Sequence, residues 1–102
     1  MSEQQPVNYK LDHARTAKDQ VRNIAAYAAT IRRSRDLSRI LRKAMHLLQT
    51  DPHGWGDPVY RAKTVDAVAC RAIIHPVVFS YVIYEETHSV MILSVKLFAD
   101  FD

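Results

Sequence analysis

A chain of 102 residues, 48% apolar and 25% charged, has the length and composition for one hydrophobic core over residues 1–102 and no room for a second domain. Cys70 is the lone cysteine, so no disulfide closes within the chain; no apolar run reaches the ~18 residues of a membrane span, and Met1 to Gln5 is too polar for a signal peptide, which makes cytoplasm the expected compartment. The net charge of +3 hides an asymmetry, with ten Lys or Arg against three Asp or Glu between Lys10 and Lys43, and four bases against seven acids from residue 44 onward.

In chain order, Met1 to Pro6 reads as a frayed tail, and Val7 to Leu11 alternates apolar and polar residues as a short strand on a sheet edge does. Asp12 offers an N-cap oxygen. From His13, the residues Ala14, Ala17, Val21, Ile24, Ala28 and Ile31 recur at steps of three and four, which predicts an amphipathic helix of about five turns. Ser34 and Asp36 interrupt that pattern as local cap formers, and Leu37, Ile40, Leu41, Ala44, Leu47 and Leu48 restart it in a second register. A tight helical hairpin follows, its first stripe thin enough in alanine for close approach.

Arg32, Arg33, Arg35, Arg39, Arg42 and Lys43 crowd the hairpin bend and the second helix, opposed by Asp36 alone. Such a surface meets a phosphate backbone, an acidic protein segment or only water, and the sequence leaves these open. Next comes Asp51-Pro52-His53-Gly54-Trp55-Gly56-Asp57-Pro58, a loop with both glycines of the chain. The glycines are expected to reach left-handed conformations, and Trp55 to plug an edge of the core.

The remainder reads as strands. Val59 to Val65 has the weak apolar content of an edge strand, Ala67 to His75 is a stronger run ended by Pro76, and Val77 to Tyr84 and Val90 to Phe98 are dense in β-branched and aromatic residues. The polar break Glu85 to Ser89 closes the last two runs into a hairpin. By alternation, Met91, Leu93, Val95 and Leu97 are expected to face the helices, with Val90, Ile92, Ser94, Lys96 and Phe98 on the other side. Tyr81 and Tyr84, three apart, fall on opposite faces, so at least one is core. The expected fold class is α+β: a short first strand and a helical hairpin packed on one face of a small antiparallel sheet.

Motifs for other chemistries are missing. His13, His46, His53, His75 and His88 form no metal-binding pattern, no glycine motif opens a helix for a nucleotide, and no serine elbow occurs, so no cofactor is expected.

The order of elements, with Ser80-Tyr81-Val82-Ile83-Tyr84-Glu85, a hairpin, and then Val90-Met91-Ile92-Leu93-Ser94-Val95, resembles the RelE/ParE toxin superfamily over nearly the whole chain. The resemblance implies the toxin of a bacterial type II toxin-antitoxin pair with a cognate antitoxin, acting as a metal-independent mRNA endonuclease at the ribosome or, on the ParE branch, on DNA gyrase. On the nuclease branch the open sheet face bears the base, acid and cations that 2′-hydroxyl attack on phosphate requires. Matching positions are Arg71, Lys63 and Tyr84. His75 joins them as the neighbouring side chain of a type that titrates near neutrality, and as a turn residue otherwise. Arg71 serves either a phosphate or a structural pair with Glu85 or Asp66. Two departures stand out: Tyr81 replaces the arginine usual in the penultimate strand, and acidic Asp100-Phe101-Asp102 replaces a basic ending. The rival function is a non-catalytic binding module of the same fold, holding an acidic partner or nucleic acid by its basic hairpin. Convergence of Lys63, Arg71 and His75 distinguishes the two.

Overall fold

The computed structural model describes residues 8–101. Its elements are β1 (Lys10–His13), α1 (Arg15–Thr30), α2 (Ser34–Thr50), α3 (Pro52–Trp55), β2 (Asp57–Arg61), β3 (Ala67–Ile74), β4 (Val77–Tyr84) and β5 (Ser89–Leu97). The five strands form one sheet in the order β1-β5-β4-β3-β2, antiparallel except where β1 runs parallel to β5. The α+β architecture is as expected, with a mixed rather than wholly antiparallel sheet. Helices α1 and α2 run out and back, so α2 ends where β1 began, and Tyr9 N–H donates to the Gln49 carbonyl at 2.9 Å. No helix among the described residues is long and apolar enough to cross a membrane.

The first strand is shifted from the expected Val7 to Leu11; Met1 to Val7 lie outside the described residues. Lys10 to His13 pair with Ser89 to Ile92, and the ladder continues as Ala14 N–H donates to the Ile92 carbonyl (2.9 Å). Asp12 is held in that ladder and does not cap the helix. Ala14 takes the N-cap position without a side-chain bond. The stripe of α1 buries Ala17, Ile24 and Ala28, while Ile31 ends exposed in the bend. Neither Ser34 nor Asp36 caps α2 by hydrogen bonding, for Arg33 is the N-cap residue; instead the Asp36 carboxylate in the first turn bridges Arg33 at 3.0 Å and Arg39 at 3.6 Å. Leu37, Ile40, Ala44 and Leu48 are buried at helical spacing.

Residues 51–58 are not all loop. Asp51 accepts the Gly54 N–H (3.1 Å) and starts the short α3. The glycines have no positive φ; positive φ occurs at Arg32 (61°) and His88 (52°) instead. What Gly56 supplies is close approach, since a β-carbon there collides with the Tyr81 hydroxyl, which donates to the Pro52 carbonyl at 2.6 Å. Trp55 packs on the core edge as expected, stacked on Tyr81 at 6.0 Å and tilted against Phe79 at 5.5 Å.

The largest correction concerns β5. Tyr81 pairs with Ile92 and Ser80 with Ser94, so Leu93 is an extra residue in a β-bulge. The bulge reverses the alternation: Val90 and Ile92 face the helices before it, Val95 after it, and Leu93 is 41% exposed. Of the expected stripe Met91, Leu93, Val95 and Leu97, only Val95 is buried, with Leu97 packed against the core in part. The side-chain oxygen of Gln20 on α1 accepts the Val95 N–H (2.7 Å), joining the strand just past the bulge to the helix layer.

Candidate functional site

Strand register places the open-face residues in rows across the sheet. Asp57, Arg71, Ser80 and Ser94 form one row; Ile73, Val78 and Lys96 the next; Tyr60, Ala69, Val82, Met91 and Asp12 another; and Ala67, Tyr84, Ser89 and Lys10 the last. Small residues at Ala69, Ser80 and Ser94 keep the middle of the face low. Between Arg71 and Lys96 this leaves a shallow hollow of 310 Å³ floored by Val78, Ser80 and Ser94 and rimmed by Ile73 and Phe98. The α-carbons of the two cations stand about 12 Å apart, two strand spacings across and two residues along. Two extended basic side chains on such a floor reach one phosphate or two adjacent ones, with hydroxyls to donate to the same oxygens.

Of the nominated catalytic residues, Arg71 lies on this hollow, exposed, and paired with neither Glu85 nor Asp66 among the described residues. Lys63 lies in the loop beyond the Ala67 end of β3, and Tyr84 occupies the row at that same end. His75 sits in the β3–β4 turn at the other end, where its peptide to Pro76 is cis and its ring meets Phe98 edge-on at 5.3 Å. The row of Tyr84 and the turn of His75 are about 23 Å apart, seven strand residues. The four therefore do not converge. Tyr81, at the position of the usual arginine, is 0% exposed on the helix side, and burial pushes its hydroxyl pKa up.

One acid-base cluster is assembled that no sequence motif announces. Glu85 accepts the Tyr9 hydroxyl (2.8 Å) and pairs with His53 Nε2, while Tyr9 stacks on His88 at 3.8 Å. The hydrogen bonds from His53 and then Tyr9 hold the Glu85 carboxyl below its ordinary pKa, and burial, then the Glu85 bond, pushes the Tyr9 phenol up to about 12. Its members come from three separate stretches with no motif spacing, so only the sheet end, where β1, α3 and the β4–β5 turn meet, brings them together. Among the described residues no group of three or more metal-ligating side chains forms a metal site.

The six hairpin cations divide. Arg32, Arg33 and Arg35 surround the bend, and Arg35, Arg39, Arg42 and Lys43 follow one another at steps of four, three and one along the α2 surface away from Leu37 and Ala44. Arg33 and Arg39 share Asp36, and Arg42 donates to Ser38 Oγ at 3.2 Å. This ladder lies on the helix layer, across the sheet from the hollow.

No family model and no curated protein matches the sequence. Among solved structures, the chain is similar to one in the crystal structure of the toxin-antitoxin complex RelBE2 from Mycobacterium tuberculosis, with a TM-score of 0.69 and 22% identity over 96% of this chain and 100% of that one. The likeness shows the fold, and it is the RelE-type toxin fold that the strand motifs resemble.

Proposed function

Taking the RelE-type fold as premise, we propose that this chain is the toxin of a toxin-antitoxin pair, acts in the cytoplasm under a cognate antitoxin, and works by holding its target rather than by cutting RNA. The observation that carries this is the hollow on the open face: it joins Arg71 and Lys96 with Ser80 and Ser94, and none of its lining side chains is of a type that titrates near neutrality. Cleavage through the 2′-hydroxyl needs a base and an acid at the scissile phosphate, within about 3 Å of the atoms they serve. Lys63, His75 and Tyr84 are not among the residues that line this hollow, and the Tyr84 row and the His75 turn lie on opposite sides of Arg71, each about 13 Å along β3 from it. Charge, hydroxyl donors and the exposed Phe98 ring suit a phosphate-bearing target with stacked bases, such as ribosomal RNA.

Expression in a bacterial host is the test. Growth arrest with intact transcripts, relieved by co-expression of the antitoxin, is expected; arrest with lost supercoiling moves the target to DNA gyrase. Normal growth with a folded product removes the toxin assignment and leaves a binding module. Cleaved transcripts overturn the non-cleaving mechanism. In that event one observation supplies a second site, the Tyr9–Glu85–His53 chain, and Glu85→Gln would abolish cleavage while Arg71→Ala weakened substrate binding.

A further inference from the structure

After β5 the chain doubles back onto the helix layer. Phe98 N–H donates to the Pro76 carbonyl (2.9 Å), and two residues on, Asp100 Oδ1 accepts the Tyr27 hydroxyl at 2.6 Å. The Arg33 guanidinium lies over the Phe101 ring, 5.9 Å from its centroid. Phe101 forms one side of a groove of 320 Å³ between α2 and the β3–β4 turn, with Arg33, Arg39 and Lys43 on its cationic wall and Ile40, Ile74 and Pro76 as its apolar surface. The volume lies within the ordinary range for a ligand pocket. Asp36 is the lone carboxylate of the lining and is taken up by Arg33 and Arg39, and Lys43 has no ion pair among the described residues.

We propose that this groove is a docking site for an acidic segment of a partner protein bearing an aromatic side chain, and that Asp100-Phe101 is its internal ligand. The chain's own segment shows the chemistry this edge of the helix layer accepts: the Phe101 ring lies at the groove under the Arg33 guanidinium, and beside it the Asp100 carboxylate takes the Tyr27 hydroxyl. A partner segment that displaces Asp100-Phe101 finds Lys43 and Arg39 for its acid, and Ile40, Ile74 and Pro76 beside the Arg33 guanidinium for its aromatic group. A nucleic acid would find the cations but leave the apolar surface without a complementary partner, which favours a peptide. The groove faces the helix side, so the inference goes beyond the proposed function and stands whether or not Arg71 and Lys96 hold a target.

Competition between the internal and an external ligand gives the test. A fluorescein-labelled peptide with the sequence Phe-Ala-Asp-Phe-Asp is titrated by fluorescence anisotropy against the full chain and against Asp100→Asn/Phe101→Ala. If the internal segment holds its place beside Arg33 nine-tenths of the time, releasing it tightens peptide binding about tenfold. Adding Lys43→Glu to the double variant should remove that binding, as should replacing both peptide aspartates by asparagine. Equal affinity for the full chain and the double variant, or binding indifferent to Lys43→Glu, overturns the proposal. So does displacement of the peptide by an oligouridylate that itself binds more tightly, which would make the groove a nucleic-acid site. Phe101→Leu, with its thermal melt compared with that of the full chain, replaces Phe101→Ala should the latter unfold, and carries the same expectations.

Discussion

The two faces of the sheet are built from alternate residues of the same strands, yet they answer to different forces. Toward the helices, Cys70, Val77, Phe79, Tyr81, Ile83 and Val90 are buried in one cluster with the stripes of α1 and α2, and every one has its position set by packing. Toward the open side, Arg71, Ser80, Ser94 and Lys96 are set by nothing but register, and the space above them is free for a target. Substitutions on the first face should therefore register in stability, and on the second in binding. The helix layer is an intermediate case, since α2 buries one stripe and offers a cation ladder on its other side.

The contrast is sharpest at Tyr81. Tyr81→Ala removes a fully buried ring stacked on Trp55 and the hydroxyl bonded to Pro52, and thermal unfolding should show a loss of about 3–5 kcal/mol. Tyr81→Phe, keeping the ring, should cost about 1 kcal/mol. A mild effect of the alanine change would mean that the covered face is not what holds the fold.

Next in size is the pair flanking the bulge. Val95→Ala should cost about 2 kcal/mol in denaturant unfolding, whereas Leu93→Ala, on the extra residue, should stay within about 0.5 kcal/mol. Comparable losses at both positions would restore unbroken alternation along β5, with Leu93 and Val95 on one face.

A smaller effect is expected at the sheet end, read by pH. Because His53 and Tyr9 lower the folded-state pKa of Glu85, the stability this carboxylate contributes is present above its unfolded pKa of about 4.3 and is lost as pH falls through the lowered folded value. His53→Ala should shift acid unfolding to higher pH. Tyr9, pushed up to about 12, carries the opposite sign: its contribution is present below the unfolded pKa and fades as pH rises through that value. An acid transition unmoved by His53→Ala would show that the His53–Glu85 pair carries no stability.

Least disturbing to the fold are the open-face cations. Arg71→Ala and Lys96→Ala should each change stability by no more than about 0.5 kcal/mol. If they hold RNA phosphates, each change should reduce the log-log salt slope of binding by about 0.7 to 0.9 for every phosphate left without its cation. The same measurement on Arg35, Arg39 and Arg42 assigns any remaining slope to the helix ladder. A slope that follows those three and ignores Arg71 and Lys96 would move the nucleic-acid surface to the helix layer.

Periodicity alone determined the helical hairpin, the four later strands, the hairpin at Glu85, and the placing of Tyr81 and Tyr84 on opposite faces, because burying an apolar stripe requires repeats of 3.6 and 2 whatever the partner; which of the two tyrosines is buried came from the packing. The strand motifs near residues 80 to 95 pointed to the RelE-type fold as well. Tertiary structure decided the rest. Leu93 looks like any other strand leucine until the register of β4 against β5 leaves it unpaired. Asp12 looks like a cap until β5 claims its backbone, and Gly56 like a turn residue until Tyr81 needs its space. Lys63, Arg71, His75 and Tyr84 share a region of sequence, but at about 3.3 Å per residue a strand carries its two ends far apart. Tyr9, His53, Glu85 and His88 meet for the converse reason: three chain segments end at one edge of the sheet, a coincidence in space that no local spacing encodes.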